Sequence, residues 1–308
     1  MTRLHALIIP LLLLSMSACF TGIESTPKIT ANDVKKERVT VSNEESYLAS
    51  IKPQPLADWE PGKKFYVTDD KINLALEPNG MPSPKAGEYL IFRESRPTIS
   101  LTGTNDTELI FIDARGNEVI YRIAATPEET MERSRIDIPF TIEESLVDGI
   151  RDKLEGQTLY TRTSTWYNDE GRAFIGLKFV PVKITEVLPG NLVYPIKLRF
   201  DNLSSDGQSS GWQYMSVTEN AGVSRNFASL FSFKDPHTRY NHITDENWNL
   251  IIHGRVAPYM TREECRLALG APKTVDRRTG ISTLRELWTY ENGVYLIFDD
   301  GILQSFRQ

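Results

Sequence analysis

Apolar positions in this chain come mostly as short runs broken by turn residues, not as long helical stripes. From about Trp59 to Ile123 the runs are Phe65-Tyr66-Val67, Tyr89-Leu90-Ile91-Phe92, Thr98-Ile99-Ser100-Leu101, Leu109-Ile110-Phe111-Ile112 and Val119-Ile120-Tyr121. Their length and spacing predict the strands of a small sandwich or barrel, and Ala114-Arg115-Gly116-Asn117 between two of them predicts a hairpin. A second strand-rich stretch runs from Gln157 to about Thr218, with turns expected at Asn168-Asp169-Glu170-Gly171 and Pro189-Gly190-Asn191. Between the stretches, Pro127 marks a helix start. Further on, Thr141-Ile142-Glu143-Glu144 has the Thr-x-x-Glu form of a capping box, before Leu146, Ile150 and Leu154 at helical spacing and a stop at Gly156.

The two strand-rich stretches echo each other at their starts. Gly62 stands three residues before Phe65-Tyr66, and Gly156 three residues before Leu159-Tyr160.

The last third changes character. Helices are expected around Phe227 to Phe233, Thr244 to His253 and Thr261 to Leu269. The third is the best marked, with a capping box in Thr261-Arg262-Glu263-Glu264, an apolar stripe through Cys265, Leu267, Ala268 and Leu269, a stop at Gly270 and Pro272 beyond it. Leu287 to Tyr290, Val294 to Phe298 and Ile302 to Phe306 then read as a three-stranded meander joined at Asn292-Gly293 and Asp300-Gly301, the strongest two-residue hairpin signals. The fold class expected is α+β: strand-rich antiparallel modules followed by a C-terminal unit of helices on an antiparallel sheet. The organisation is a signal peptide at 1–18, a tether at 19–58, a β-rich module at 59–125, a helical connector at 126–156, a second β-rich module at 157–222 and an α+β domain at 223–308. Val39 to Val41 and Tyr47 to Ile51 are the parts of the tether with enough apolar character to dock on the folded part.

The first residues set the address. A basic start at Arg3 leads into an apolar run from Leu4 to Leu14, broken by Pro10 and too short to span a bilayer, and Ser17-Ala18 are small residues directly before Cys19. The segment resembles the lipobox of bacterial lipoproteins, with Met16 where that family more often has Leu. The resemblance implies lipid on the Cys19 thiol, cleavage in front of it and a membrane anchor. Several acyl chains on one cysteine bury CH₂ groups at about 0.8 kcal/mol each, enough to hold a soluble body stably. Phe20, in place of an aspartate, directs the expectation to the outer membrane.

With Cys19 lipidated, Cys265 is the only other cysteine, so no intramolecular disulfide is expected, and a small buried hydrophobe is its expected role. The mature chain carries 34 basic and 41 acidic side chains, a formal charge of −7, which argues against nucleic acid as a partner.

Met260-Thr261, Leu269-Gly270-Ala271-Pro272, Trp288-Thr289-Tyr290 and Phe298-Asp299-Asp300-Gly301 together resemble the small outer-membrane lipoproteins of the BamE/SmpA/OmlA family. Tyr259 stands where that family has Gly. The likeness covers about the last fifty-five residues. It implies a two-layer domain that contacts other proteins, with envelope or outer-membrane proteins as partners.

No catalytic constellation is found. Gly207-Gln208-Ser209-Ser210-Gly211 matches Gly-x-Ser-x-Gly, but it lies in a polar loop before a strand and not on a strand–turn–helix elbow. His237, His242 and His253, with Asp235 and Asp245 nearby, lack a metal-ligand spacing. Glu143-Glu144 and Asp299-Asp300 sit at a helix start and in a turn, where acids have structural reasons to be. The expected site is thus the lipidation at Cys19, with no catalytic residue, metal or cofactor. Trp166, Tyr167, Trp212, Tyr214, Trp248 and Trp288 would support carbohydrate binding as the alternative if several lined one open face.

Overall fold

The computed structural model describes residues 42–217, 225–279 and 283–308. Cys19, the apolar run before it and Val39 to Val41 lie outside the described residues. Among those described, strands gather into three antiparallel sheets, so the fold is α+β.

The first sheet is built from β1 (Lys64–Val67), β2 (Tyr89–Ile99), β3 (Asn105–Ile112), β4 (Glu118–Ile123) and β5 (Thr141–Glu143). Alternation sends Phe65, Val67, Leu90, Phe92, Leu109 and Phe111 to one core, which Leu56, Trp59 and Ile72 cover from outside the sheet. The second sheet holds β6 (Thr158–Thr161), β7 (Thr165–Tyr167), β8 (Ala173–Ile175), β9 (Pro181–Pro189), β10 (Ile196–Asn202), β11 (Ser210–Met215) and β12 (Phe231–Ser232). The third is a meander of β13 (Thr274–Thr279), β14 (Leu284–Thr289), β15 (Tyr295–Asp299) and β16 (Ile302–Arg307). By their hydrogen-bonded order all three sheets are open, with an edge strand at each end.

Among the described residues six short α-helices accompany them: α1 (Asn43–Ser46), α2 (Pro127–Met131), α3 (Glu144–Leu154), α4 (Phe227–Leu230), α5 (Asp245–Ile252) and α6 (Arg262–Leu269). The stripe of Leu146, Ile150 and Leu154 is buried as its spacing requires, and Val147, Ile150 and Leu154 join the core of the second sheet. Helices α5 and α6 contribute Trp248, Ile251, Cys265 and Ala268 to a core shared with Trp288, Leu296, Phe298 and Leu303 of the third sheet. Both hairpin signals there are realised: Asn292-Gly293 joins β14 to β15, and Asp300-Gly301, at φ +51° and +87°, joins β15 to β16.

The first two sheets share one connectivity. In the first, β1 to β4 form a meander and β5, after α2, returns to pair with β1, so the spatial order is β5-β1-β2-β3-β4. In the second, β6, β9, β10 and β11 follow the same path and β12, after α4, returns to pair with β6. The β7–β8 hairpin is inserted between β6 and β9 and pairs beyond β11. The irregularities coincide as well. In β2 an extra residue lies between Phe92, opposite Phe111, and Glu94, opposite Ile110; in β9 one lies between Ile184, opposite Phe200, and Glu186, opposite Arg199. Gly62 donates its N–H to the Phe92 carbonyl and Gly156 donates to that of Ile184, both glycines at positive φ. A bulge leaves a residue unpaired and is kept only where the fold needs the bend, so its recurrence at one place marks a structural repeat. The echo around Gly62 and Gly156 is the visible trace of that repeat.

Several boundaries differ from the expected ones. Residues 126–156 are not a separate connector: 141–143 form β5 of the first sheet, and α3 packs on β9 of the second. Thr141 does not cap a helix, because pairing with Val67 holds it extended. Glu143 takes the N-cap position without a side-chain cap bond, its carboxylate being engaged by Lys63. The second module extends past residue 222, since Phe227, Leu230 and Phe231 lie in its core and the helix expected to reach Phe233 ends at Leu230. The part of the expected tether from Ser42 to Asp58 is folded: Ser42 and Glu45 make a capping box, Leu48 and Ile51 pack on the second core, and the Tyr47 hydroxyl donates to the Lys153 carbonyl. The C-terminal meander has a fourth strand, β13, whose exposed Thr-Val-Asp-Arg-Arg-Thr sequence carries no one-sided apolar pattern.

Candidate functional site

The structure disperses the residues in which chemistry was sought. Ser209 lies in the turn between two antiparallel strands, β10 and β11, where its carbonyl accepts the Asn202 N–H. His237 stacks on Trp248 with ring centroids 4.4 Å apart. The exposed His242 meets Glu263 at 2.8 Å, and His253 at the end of α5 bonds through Nδ1 to the Asn249 carbonyl. Asp235 caps the turn that contains His237, and Asp245 stands in the first turn of α5. Among the described residues, no three His, Cys, Asp or Glu converge to hold a metal ion.

The paired acids are each engaged locally. Arg285 donates to both carboxylate oxygens of Asp299, at 2.8 and 3.0 Å, and Asp300 accepts the Leu284 N–H. Glu144 accepts the Tyr89 hydroxyl at 3.0 Å; burial, with the charge of Glu144, pushes that phenol up to about 12. In the first sheet Glu108 lies between Arg96 and Arg122. Burial alone would raise its carboxyl, but the two guanidinium bonds outweigh that and hold it below the usual range.

The aromatic row does not form. Trp166 and Trp288 are fully buried, Trp212 and Trp248 nearly so, and only Tyr167 and Tyr214 remain partly open on one face, edge to face at 5.0 Å. Cations already lie over this face: Arg225 over Tyr167 at 5.1 Å, and Lys197 over Trp212 at 4.0 Å and over Tyr214 at 6.0 Å. A sugar ring stacking there would have to displace them.

The feature that sequence reasoning missed lies where the two repeats meet. A cavity of about 460 Å³ opens between residues 135–146 around β5, the β9–β10 loop with Leu192 and Val193, and the chain at Ile51 to Pro53. Beside it the Lys63 ammonium and Glu143 carboxylate form a nearly buried ion pair at 2.6 Å. Ser145 Oγ donates to the same Glu143 oxygen, Lys63 reaches Ser145 Oγ at 3.0 Å and the Gln54 side chain at 2.5 Å, and the Gln54 N–H points to the carboxylate at 3.3 Å. A Ser–Lys pair suggests a nucleophile and base only when the lysine is neutral. Here one Glu143 oxygen accepts from both Lys63 and Ser145 Oγ, so the three side chains hold one another as a clasp. Lys63 and Glu143 are eighty residues apart, and no local pattern joins them.

No protein-family model, curated protein or solved structure matches the chain.

Proposed function

We propose that the chain is a non-catalytic envelope lipoprotein, held by lipid on Cys19, with the outer membrane as its site and other proteins as its partners. The observation that carries the reading is the order of the first nineteen residues: a basic start, a short apolar run, then Ser17-Ala18-Cys19. Two features of the body support it. The polar convergences described above are engaged in ion pairs and caps that tie elements of the fold together. The C-terminal segment resembles the BamE/SmpA/OmlA family, and that likeness, not the core it shares with α5, is what supports protein contact.

Palmitate labelling tests the anchor: label should enter the wild-type protein and be lost in Cys19→Ala, which should also move from the membrane to the soluble fraction. A wild-type protein found soluble would overturn the anchor. For the partners, the tagged lipidated protein is captured in mild detergent and its companions identified by mass spectrometry. Outer-membrane barrels or their assembly machinery would support the reading. Polysaccharide-uptake proteins would favour the carbohydrate-binding alternative, and an empty capture would leave a structural role without a partner.

A further inference from the structure

The β2–β3 hairpin is longer than the sheet that supports it. β1 pairs with β2 only over Tyr89 to Ile91, and β4 meets β3 only from Thr107 onward, so the pairs Thr98↔Asp106 and Ile99↔Asn105 lie beyond both neighbouring strands. At the end of this arm Leu101 is wholly exposed and Ile99 is 71% exposed. Met131, 41% exposed, stands next to Thr130, whose hydroxyl meets that of Thr107 at the base of the arm. From Pro97 to Asn105 no residue is charged, in a chain that is 25% charged overall.

The turn closes part of its hydrogen bonding on itself through Ser100 and Thr104. The Ser100 N–H donates to the Thr104 carbonyl and the Gly103 N–H to the Ser100 carbonyl. Ser100 Oγ accepts the Thr104 N–H and lies 2.8 Å and 2.6 Å from the hydroxyls of Thr102 and Thr104. These internal bonds lower the cost of withdrawing water from Ser100 and Thr104, while the backbone of Leu101 and Thr102 keeps its partners in the hydrated interfacial layer, so the contact is shallow.

We propose that this tip is a membrane-contacting wedge, with Leu101 and Ile99 entering the interfacial layer of the bilayer that holds the anchor. The proposal takes proximity from the anchor at Cys19. By covalent geometry the 23-residue step from Cys19 to Ser42 reaches at most about 80 Å, so an anchored body stays within that distance of the lipid surface. Confinement raises the effective concentration, and a weak wedge then suffices. A protein partner for the same tip has no comparable argument in the structure. Glu128, Glu129 and Glu132 in and beside α2 and the net negative charge oppose attraction to anionic headgroups, so the contact is apolar. It should persist in high salt and be no stronger on anionic than on zwitterionic lipid.

The test is Leu101→Trp in the full lipidated chain, reconstituted into phosphatidylcholine vesicles with brominated acyl chains. The five native tryptophans are buried, so the added ring dominates quenching by lipid, and Leu203→Trp on the exposed β10–β11 turn serves as control. Flotation of the vesicles reads the anchor, and quenching reads the tip. Flotation with quenching of Leu101→Trp, but not of Leu203→Trp, supports the wedge, as does the same result with Ile99→Trp. Flotation without quenching overturns it. Failure to float overturns the anchor alone; titrating the free chain with concentrated vesicles then decides the tip, quenching supporting it and its absence overturning it. Shielding of the added ring only when envelope proteins are present would assign the tip to a protein and overturn the lipid contact.

Discussion

Cys265 sits on the buried side of α6, in the core between that helix and the third sheet, with Tyr290 packed against the same core. Burial, with the neighbouring charge of Glu264, pushes its thiol from an ordinary value of 9.0 up to about 12. Burial likewise carries the Tyr290 phenol to about 12. A thiol held protonated in the core is inert. In a Cys19→Ala chain, Cys265 at pH 8 should not react with a thiol reagent until urea opens the core, and rapid native labelling would refute the packing. Linkage gives the sign of a pH effect. The unfolded chain releases both protons at their ordinary values while the folded chain keeps them to about 12. This contribution to stability is therefore complete below pH 9 and is lost as pH rises through 12. Thermal midpoints should fall between pH 9 and 11, and the fall should be smaller in Cys265→Ala.

At the scale of elements, α6 shows how much a short helix depends on its first turn. Eight residues are too few to be helical alone. Thr261 Oγ1 accepts the Glu264 N–H, and the Glu264 carboxylate accepts the Thr261 N–H at 2.6 Å and the Asn247 side chain of α5 at 2.7 Å. The box that caps one helix thus also ties it to the next. Thr261→Ala should cost about 1 kcal/mol, at least as much as an ordinary cap, read as a lower urea midpoint with unchanged slope. No measurable loss would mean that packing alone holds the helix. At the other end of α6, the half-buried Lys178 ammonium donates to the Leu267 and Ala268 carbonyls, and Phe179 stacks on Trp248 at 5.5 Å. The loop before β9 thereby docks the helices of the third sheet onto the second module.

For the whole molecule, the clasp at Glu143 joins parts far apart in the chain: Gln54 before the first sheet, Lys63 just before β1 and Ser145 at the start of α3. A nearly buried ion pair contributes little net stability, yet stranding one member is costly, because the other is left as an uncompensated charge. Glu143→Leu should therefore lose about 3 to 5 kcal/mol, while Lys63→Met with Glu143→Leu should recover most of it, both read from urea unfolding. A double variant as weak as the single one would show that the pair does more than neutralise itself. The repeat also gives the molecule its asymmetry. The β9–β10 loop of the second unit borders the cavity against the first, whereas the equivalent β2–β3 tip of the first has no strand beside its last two pairs.

What the sequence determined by itself was local. Alternation named most strands, the Thr261 box and Gly270 bounded α6, Asn292-Gly293 and Asp300-Gly301 placed two hairpins, and the glycines before Phe65 and Leu159 hinted at the repeat. Each of these signals lies within a few residues of its effect, where backbone geometry and capping act. Tertiary structure alone decided that Thr141 would be a strand and not a cap, that Tyr47 to Ile51 would dock, and that Lys63 would meet Glu143. It also closed the tryptophans into cores and left Leu101 outside, because burial belongs to the packed chain and not to the residue. Strand β13 was beyond the reach of its sequence for the same reason: exposed on both faces, it is held by the hydrogen bonds of its neighbour, and those leave no mark on side-chain pattern.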